Sequence, residues 1–165
     1  MFDNYIAEYG QRLYGLCRTL CASQTDADDL YQATWLRALE RFERYDRSRA
    51  FEPWLTAICV NLFRSHQRRI RRSPLFDGFS SPEDKQLALE QAAAPEREDY
   101  STLHAAVDNL PEALRLTVIL FYFHDLDLAQ TAKTLGVPLG TVKSRLSRAK
   151  QRLKEVLRDA EALQF

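Results

Sequence analysis

Residues 126–157 read LDLAQTAKTLGVPLGTVKSRLSRAKQRLKEVL, and the fold class turns on them. Leu128, Ala132 and Leu135 fall four and three apart, the step that lines one face of a helix. Gly136 supplies the permissive backbone of a sharp turn, and Pro138 stands just ahead of a second periodic stretch. There Val142, Leu146, Ala149, Leu153 and Val156 form the apolar stripe, which leaves Thr141, Lys143, Ser144, Arg145, Ser147, Arg148 and Arg152 outside. Between residues 140 and 158 seven Lys or Arg face a single acid, Glu155. A helix, a turn and a basic second helix make a helix-turn-helix suited to a DNA major groove, with early side chains for base edges and later ones for phosphates. The bland alternative is a solvated basic face.

Charge balance alone points the other way, because 23 Lys and Arg offset 23 Asp and Glu. The charges are segregated, however. Residues 51–72 hold five Arg against Glu52 alone, whereas 73–100 hold seven acids against Lys85 and Arg97. Two basic patches therefore flank an acidic bridge. No apolar run approaches membrane-spanning length and MFDNYIAEYG is no leader, so a cytoplasmic chain without membrane insertion is expected. Cys17, Cys21 and Cys59 lie on apolar helical faces without metal spacing, which predicts reduced core thiols; a redox or zinc role for the Cys17/Cys21 pair is the alternative.

Periodicity and breakers divide the rest. Ile6, Tyr9, Leu13, Leu16, Cys17 and Leu20 mark a first helix, and Thr25 with Asp28 suggests a capping box for a second over 26–44. That helix would bury Tyr31, Trp35, Ala38, Leu39 and Phe42. RYDRSRA at 44–50 reads as an exposed loop. A third helix over 51–72 would bury Phe51, Trp54, Leu55, Ile58, Cys59, Leu62 and Phe63, with Asn61, Arg64, Arg68 and Arg72 on another side. Pro74, Pro82 and Pro95 punctuate a linker. Leu103, Ala106, Val107 and Leu110 mark a short helix, and Pro111 suits the first turn of another that buries Leu114, Val118 and Phe121. The expected fold is all-α: two small helical domains, 1–72 and 101–165, joined by a flexible acidic linker over 73–100, the second domain containing the helix-turn-helix.

Three blocks carry a family resemblance: DADDLYQATW at 26–35, FEPWL at 51–55 continuing through Asn61 to Arg69, and GTVKSR at 140–145. In this order and spacing the chain resembles the extracytoplasmic function (ECF) sigma factors of bacterial RNA polymerase. The resemblance implies a first domain that docks on core RNA polymerase through Asp28, Asp29, Gln32, Arg37 and Glu40. It implies capture and melting of the minus-ten promoter element by the loop Tyr45, Asp46, Arg47, Ser48 and Arg49, backed by Asn61, Arg64, Arg68, Arg69 and Arg72. Thr141, Lys143, Ser144, Arg145, Ser147, Arg148 and Arg152 would read the minus-thirty-five element. Phe51 and Trp54 would support the loop instead of stacking on bases. Promoter DNA and core polymerase are the implied partners, an anti-sigma factor a further one, and the free chain is expected to be a monomer.

Two other readings compete: a stand-alone helix-turn-helix regulator that binds operators, and a sigma-like module that only binds proteins. The first lacks an evident dimerisation helix. The intact basic helix argues against the second. His66, His104 and His124 are scattered and no phosphate-cradling glycine loop occurs, so neither an enzyme nor a cofactor is expected.

Overall fold

A computed structural model of the chain describes residues 1–72 and 102–162. The linker expected at 73–100 lies outside the described residues. The chain divides into two compact units, Met1–Glu96 and Arg97–Phe165, and among the described residues every regular element is helical.

The first unit contains α1 (Phe2–Leu20), α2 (Gln24–Arg41) with a 3-10 turn (Phe42–Arg44), and α3 (Phe51–Arg72). Helix α1 turns Leu13, Leu16, Cys17 and Leu20 inward at the predicted steps. The start of α2 differs from the expected Thr25/Asp28 box. Ser23 is the N-cap, its Oγ accepting from the Asp26 amide at 3.1 Å, so the helix begins earlier than residue 26. From α2 the buried groups are Ala27, Leu30, Thr34, Trp35 and Ala38; the Thr34 hydroxyl donates to the Leu30 carbonyl at 2.7 Å, which makes a polar side chain tolerable there. Leu39, expected in the core, is 54% exposed. Gly10 lets α1 and α2 approach closely: a methyl group at that position would sit 3.0 Å from Tyr31 Oη.

Helix α3 runs over the predicted span and buries Phe51, Leu55, Ile58, Cys59 and Phe63 as expected, and Val60 besides, while Trp54 and Leu62 are half-buried. Its first residue is the centre of an aromatic cluster. The Phe51 ring stacks on Tyr5 at 4.2 Å and lies 5.2 Å from Tyr9, 5.4 Å from Tyr45 and 5.4 Å from Trp54. Phe42 closes the other end against Phe2 and Tyr5. Aromatic pairs add packing geometry to area burial, which matters in a unit this small.

The second unit contains α4 (Thr102–Asp108), α5 (Glu112–Val118), a π-helical turn (Ile119–Phe123), α6 (Leu128–Leu135) and α7 (Leu139–Ala162). Pro111 is the N-cap of α5 instead of its first-turn residue. Leu114 and Val118 are buried, but Phe121 is only half-buried because the π turn rotates it off the α5 stripe. Leu103 and Val156, also expected inside, are exposed. The π turn closes with the His124 amide on the Ile119 carbonyl at 3.0 Å. Asp125 follows at φ 55°, a left-handed conformation that a short polar side chain tolerates, and Leu126 turns back into the core.

Helix α6 opens on a complete capping box: Asp127 Oδ1 accepts from the Gln130 amide at 2.7 Å, and Gln130 Oε1 accepts from the Asp127 amide at 3.0 Å. It ends at Gly136, φ 68°, where the Gly136 amide meets the Lys133 carbonyl and the Val137 amide meets the Ala132 carbonyl. That is the paired closure of a helix on a left-handed residue.

Two stability measurements follow from these elements. Phe51→Ala should lower the stability of the first unit by about 3–5 kcal/mol, read as a shifted denaturant midpoint. Gly136→Ala has room for its methyl but forces an alanine into the left-handed region. It should cost about 1–2 kcal/mol, with the second unit melting earlier and the first unchanged.

Candidate nucleic-acid interface

In the second unit the site begins at the joint. The Pro138 carbonyl accepts from the Thr141 and Val142 amides at 3.0 and 3.3 Å and so opens α7. Val142 and Ala149 are fully buried and Leu146 is nearly so. This seats one face of α7, and the opposite face carries Lys143, Ser144, Ser147, Arg148 and Arg152, all exposed, with Thr141 and Arg145 half-exposed at its margins. All seven residues expected to meet the minus-thirty-five element therefore share one solvent-facing arc. Ser144 Oγ donates to the Thr141 carbonyl at 3.0 Å, so in this state its hydroxyl presents lone pairs outward. Lys150, at the edge of the arc, lies over the Tyr122 ring at 5.8 Å.

In the first unit the loop between the 3-10 turn and α3 is tied to itself. Asp46 Oδ1 accepts from the Ser48 amide at 3.0 Å and from Ser48 Oγ at 2.7 Å, and its other oxygen lies 3.5 Å from Arg49 Nε. The two Ser48 bonds are the main cause holding the Asp46 carboxyl below its ordinary value, with Arg49 adding to it. Arg47 lies over the Phe42 ring at 5.5 Å. Tyr45 stands apart from its neighbours: its ring is 8% exposed, packed on Phe51 and Trp54, and its phenol donates to the Arg49 carbonyl. Burial is the first cause pushing that phenol up, so at neutral pH it stays a donor. Asp46, Arg47, Ser48 and Arg49 are exposed. On α3, Asn61, Arg68, Arg69 and Arg72 are exposed and Arg64 is half-buried.

Helix α2 carries the expected polymerase-facing set on two flanks. Asp28 and Gln32 line a shallow groove against α1 of about 570 Å3, where Tyr14 donates to Asp28 at 2.8 Å. Asp29 and Arg37 line a second groove of about 410 Å3 against α3, with Cys21, Leu62 and His66. Arg37 and Glu40 form an exposed ion pair at 3.6 Å, worth little by itself. On the same solvent-facing side of the helix stand two residues missing from the sequence-derived set: Leu36, 63% exposed, and Leu39. Their signal was positional. Leu36 lies one turn from Gln32 and from Glu40, among polar neighbours on the face of α2 turned away from the core.

Cys17 and Cys59 are fully buried with their sulfurs 3.8 Å apart. Their mutual hydrogen bond first, then burial, pushes the Cys17 thiol far up. Among the described residues no group of three or more His, Cys, Asp or Glu could hold a metal ion, and no helix is long and apolar enough to cross a membrane.

Residues 5–73 match the family model for sigma-70 region 2, and residues 100–153 match the one for sigma-70 region 4. The chain is 34% identical over 161 residues to the ECF RNA polymerase sigma factor SigE of Mycolicibacterium smegmatis, covering 94% of this chain and 61% of that protein. It thus spans about three fifths of that relative. It is 33% identical to the ECF RNA polymerase sigma factor EcfG of Rhodopseudomonas palustris, covering 84% of this chain and 75% of the relative. Its fold is similar to that of the sigma factor RpoE solved with the anti-sigma factor NepR from Bartonella quintana, with a TM-score of 0.73 at 22% identity over 95% of this chain and 96% of that one.

Thiol accessibility tests the core around α1 and α3. In the native protein Cys17 and Cys59 should resist a thiol reagent, and Cys21, which borders the α2/α3 groove, should react first. All three should react at once in denaturant, as counted by mass spectrometry.

Proposed function

The chain belongs to the extracytoplasmic function sigma factors, a class of non-enzymatic transcription initiation factors, and from that premise we propose how its residues divide the work. Helix α2 docks on bacterial core RNA polymerase, with Leu36 and Leu39 as apolar anchors and Asp28, Asp29, Gln32, Arg37 and Glu40 fixing orientation around them. Apolar anchors give affinity where surrounding charges mainly steer and select. The loop of Asp46 to Arg49 receives an unpaired base of the minus-ten element. Asn61, Arg64, Arg68, Arg69 and Arg72 then follow the separated strand along α3, since a basic track holds the backbone of a strand whose bases are splayed out. Helix α7 enters the major groove at the minus-thirty-five element. Lys143 and Arg148 meet base edges there, Thr141, Ser144 and Ser147 lie beside them, and Arg145 and Arg152 flank them on phosphates. The factor would work in the cytoplasm, where polymerase and promoter DNA are.

The observation that carries this reading is the arc on α7: seven expected contact residues on one accessible side of a helix whose other side is locked into the unit by Val142, Leu146 and Ala149. The intact basic arc argues against a module that only binds proteins. The decisive experiment is run-off transcription from a bacterial promoter library by core polymerase with and without this chain, followed by sequencing of the new starts. New starts that share two elements at fixed spacing are expected. No gain of starts by an active core polymerase and a folded factor would overturn the reading.

On the promoter so identified, substitutions should separate the two kinds of contact. Lys143→Ala or Arg148→Ala should cost about 1–3 kcal/mol on the preferred base and relax discrimination at that position. Arg152→Ala should weaken all sequences alike and lower the salt dependence of minus-thirty-five binding, by about 0.9 in the log-log slope for one lost phosphate contact. Binding titrations at several salt concentrations read both effects.

A further inference from the structure

Residues 45–49 form a closed ring. The Tyr45 phenol donates to the Arg49 carbonyl, the Arg49 amide donates to the Asp46 carbonyl at 3.0 Å, and inside the ring Ser48 donates twice to the Asp46 carboxylate. One side of the Asp46 to Arg49 segment is thereby bonded to itself, and the base of the ring is the Tyr45 side chain, held 4.8 Å from Trp54, 5.4 Å from Phe51 and 6.2 Å from Phe42 between ring centres. Tyr45 is thus rigidly mounted on the core and touches the loop through its hydroxyl.

We propose that Tyr45 is a positioning residue for base capture: it holds the Asp46 to Arg49 loop in its receiving shape before DNA arrives, and acts through the Arg49 carbonyl without touching the base. The inference rests on the reading of that loop as the capture site. A loop that must order on binding spends part of the interaction on its own conformational entropy, and a loop already closed does not. The shape of the receiving site, and hence its preference among bases, is then set by a side chain beneath it. The Asp46 turn is a second tether of the same kind, nearer the surface, so the two should act on one quantity and be less than additive when both are removed.

The test uses Tyr45→Phe, which keeps the packed ring and removes only the donor. Holoenzyme assembled from this chain and core polymerase is titrated with a single-stranded oligonucleotide bearing the minus-ten sequence obtained from run-off starts, and with duplex DNA bearing the minus-thirty-five element alone. The variant should bind the single strand about 3- to 10-fold more weakly, the worth of one lost hydrogen bond, with a flatter preference at the captured base. Its affinity for core polymerase and for the minus-thirty-five duplex should be unchanged. In the free protein, amide exchange should quicken at residues 46–49 and not in α1, α2 or α3. Asp46→Ala, exposed and outside the core, removes the acceptor of both Ser48 bonds; it serves as the second variant and should shift the same two readouts in the same direction.

Arg47→Ala and Arg49→Ala separate the two ways of failing. If they leave single-strand binding intact, the loop is not the capture site and the positioning role falls with it. If they weaken it while Tyr45→Phe and Asp46→Ala match the wild type in binding and exchange, the loop keeps its function and the positioning role is overturned. A Tyr45→Phe loss that extends equally to core polymerase and duplex binding overturns it as well, because that is the signature of general damage.

Discussion

Phe51 is where the first unit's structural and functional demands meet. It is the first residue of α3, the residue after the loop, and the ring around which Tyr5, Tyr9, Tyr45 and Trp54 are arranged. A three-helix unit buries too little surface to hold an irregular loop rigidly by backbone bonding alone. Large rings solve this by carrying much apolar area on few rotatable bonds. Because α3 starts on such a ring, the loop inherits a fixed end, and Tyr45 gives it a second fixed point. The basic side of α3, beginning three turns later, is then set relative to the loop by helix geometry.

The second unit solves a related problem with backbone chemistry. Its two motif helices are joined by Gly136 and Pro138, one residue that accepts a left-handed conformation and one whose carbonyl opens the next helix. The capping box at Asp127 and Gln130 fixes where α6 starts, so both ends of that short helix are determined locally. With α6 seated, Val142, Leu146 and Ala149 choose which side of α7 faces water. The result is an accessible basic arc on a chain of zero formal net charge, since the acids that balance it are concentrated elsewhere in sequence.

Most of this was legible from spacing. The buried stripe of α1, the span of α3, the joint at Gly136 and the arc on α7 follow from periodicity and from two residues with restricted or unusual backbone freedom. The departures have separate causes. Leu39, Leu103 and Val156 were assigned to the core because they are apolar and in step, yet each lies where no other described element covers it. The start of α2 was placed late because Thr25 imitates a cap, while Ser23 makes the bond. Phe121 fell off its stripe because a π turn changes the step, and nothing in the local pattern announces one.

By itself, the sequence determined which segments are helical to within a few residues at their ends, that the basic groups segregate from the acidic ones, and that a helix-turn-helix ends in a basic helix. Those properties depend on local steric preference and on a periodicity that repeats over many residues. Only the tertiary structure decided that Tyr45 lies under its loop instead of in it, that Leu36 and Leu39 stand uncovered on α2, and that Cys17 faces Cys59 across two helices. Each of these depends on which side of one helix another helix covers. That choice is made by packing between residues distant in the chain, and no local pattern encodes it.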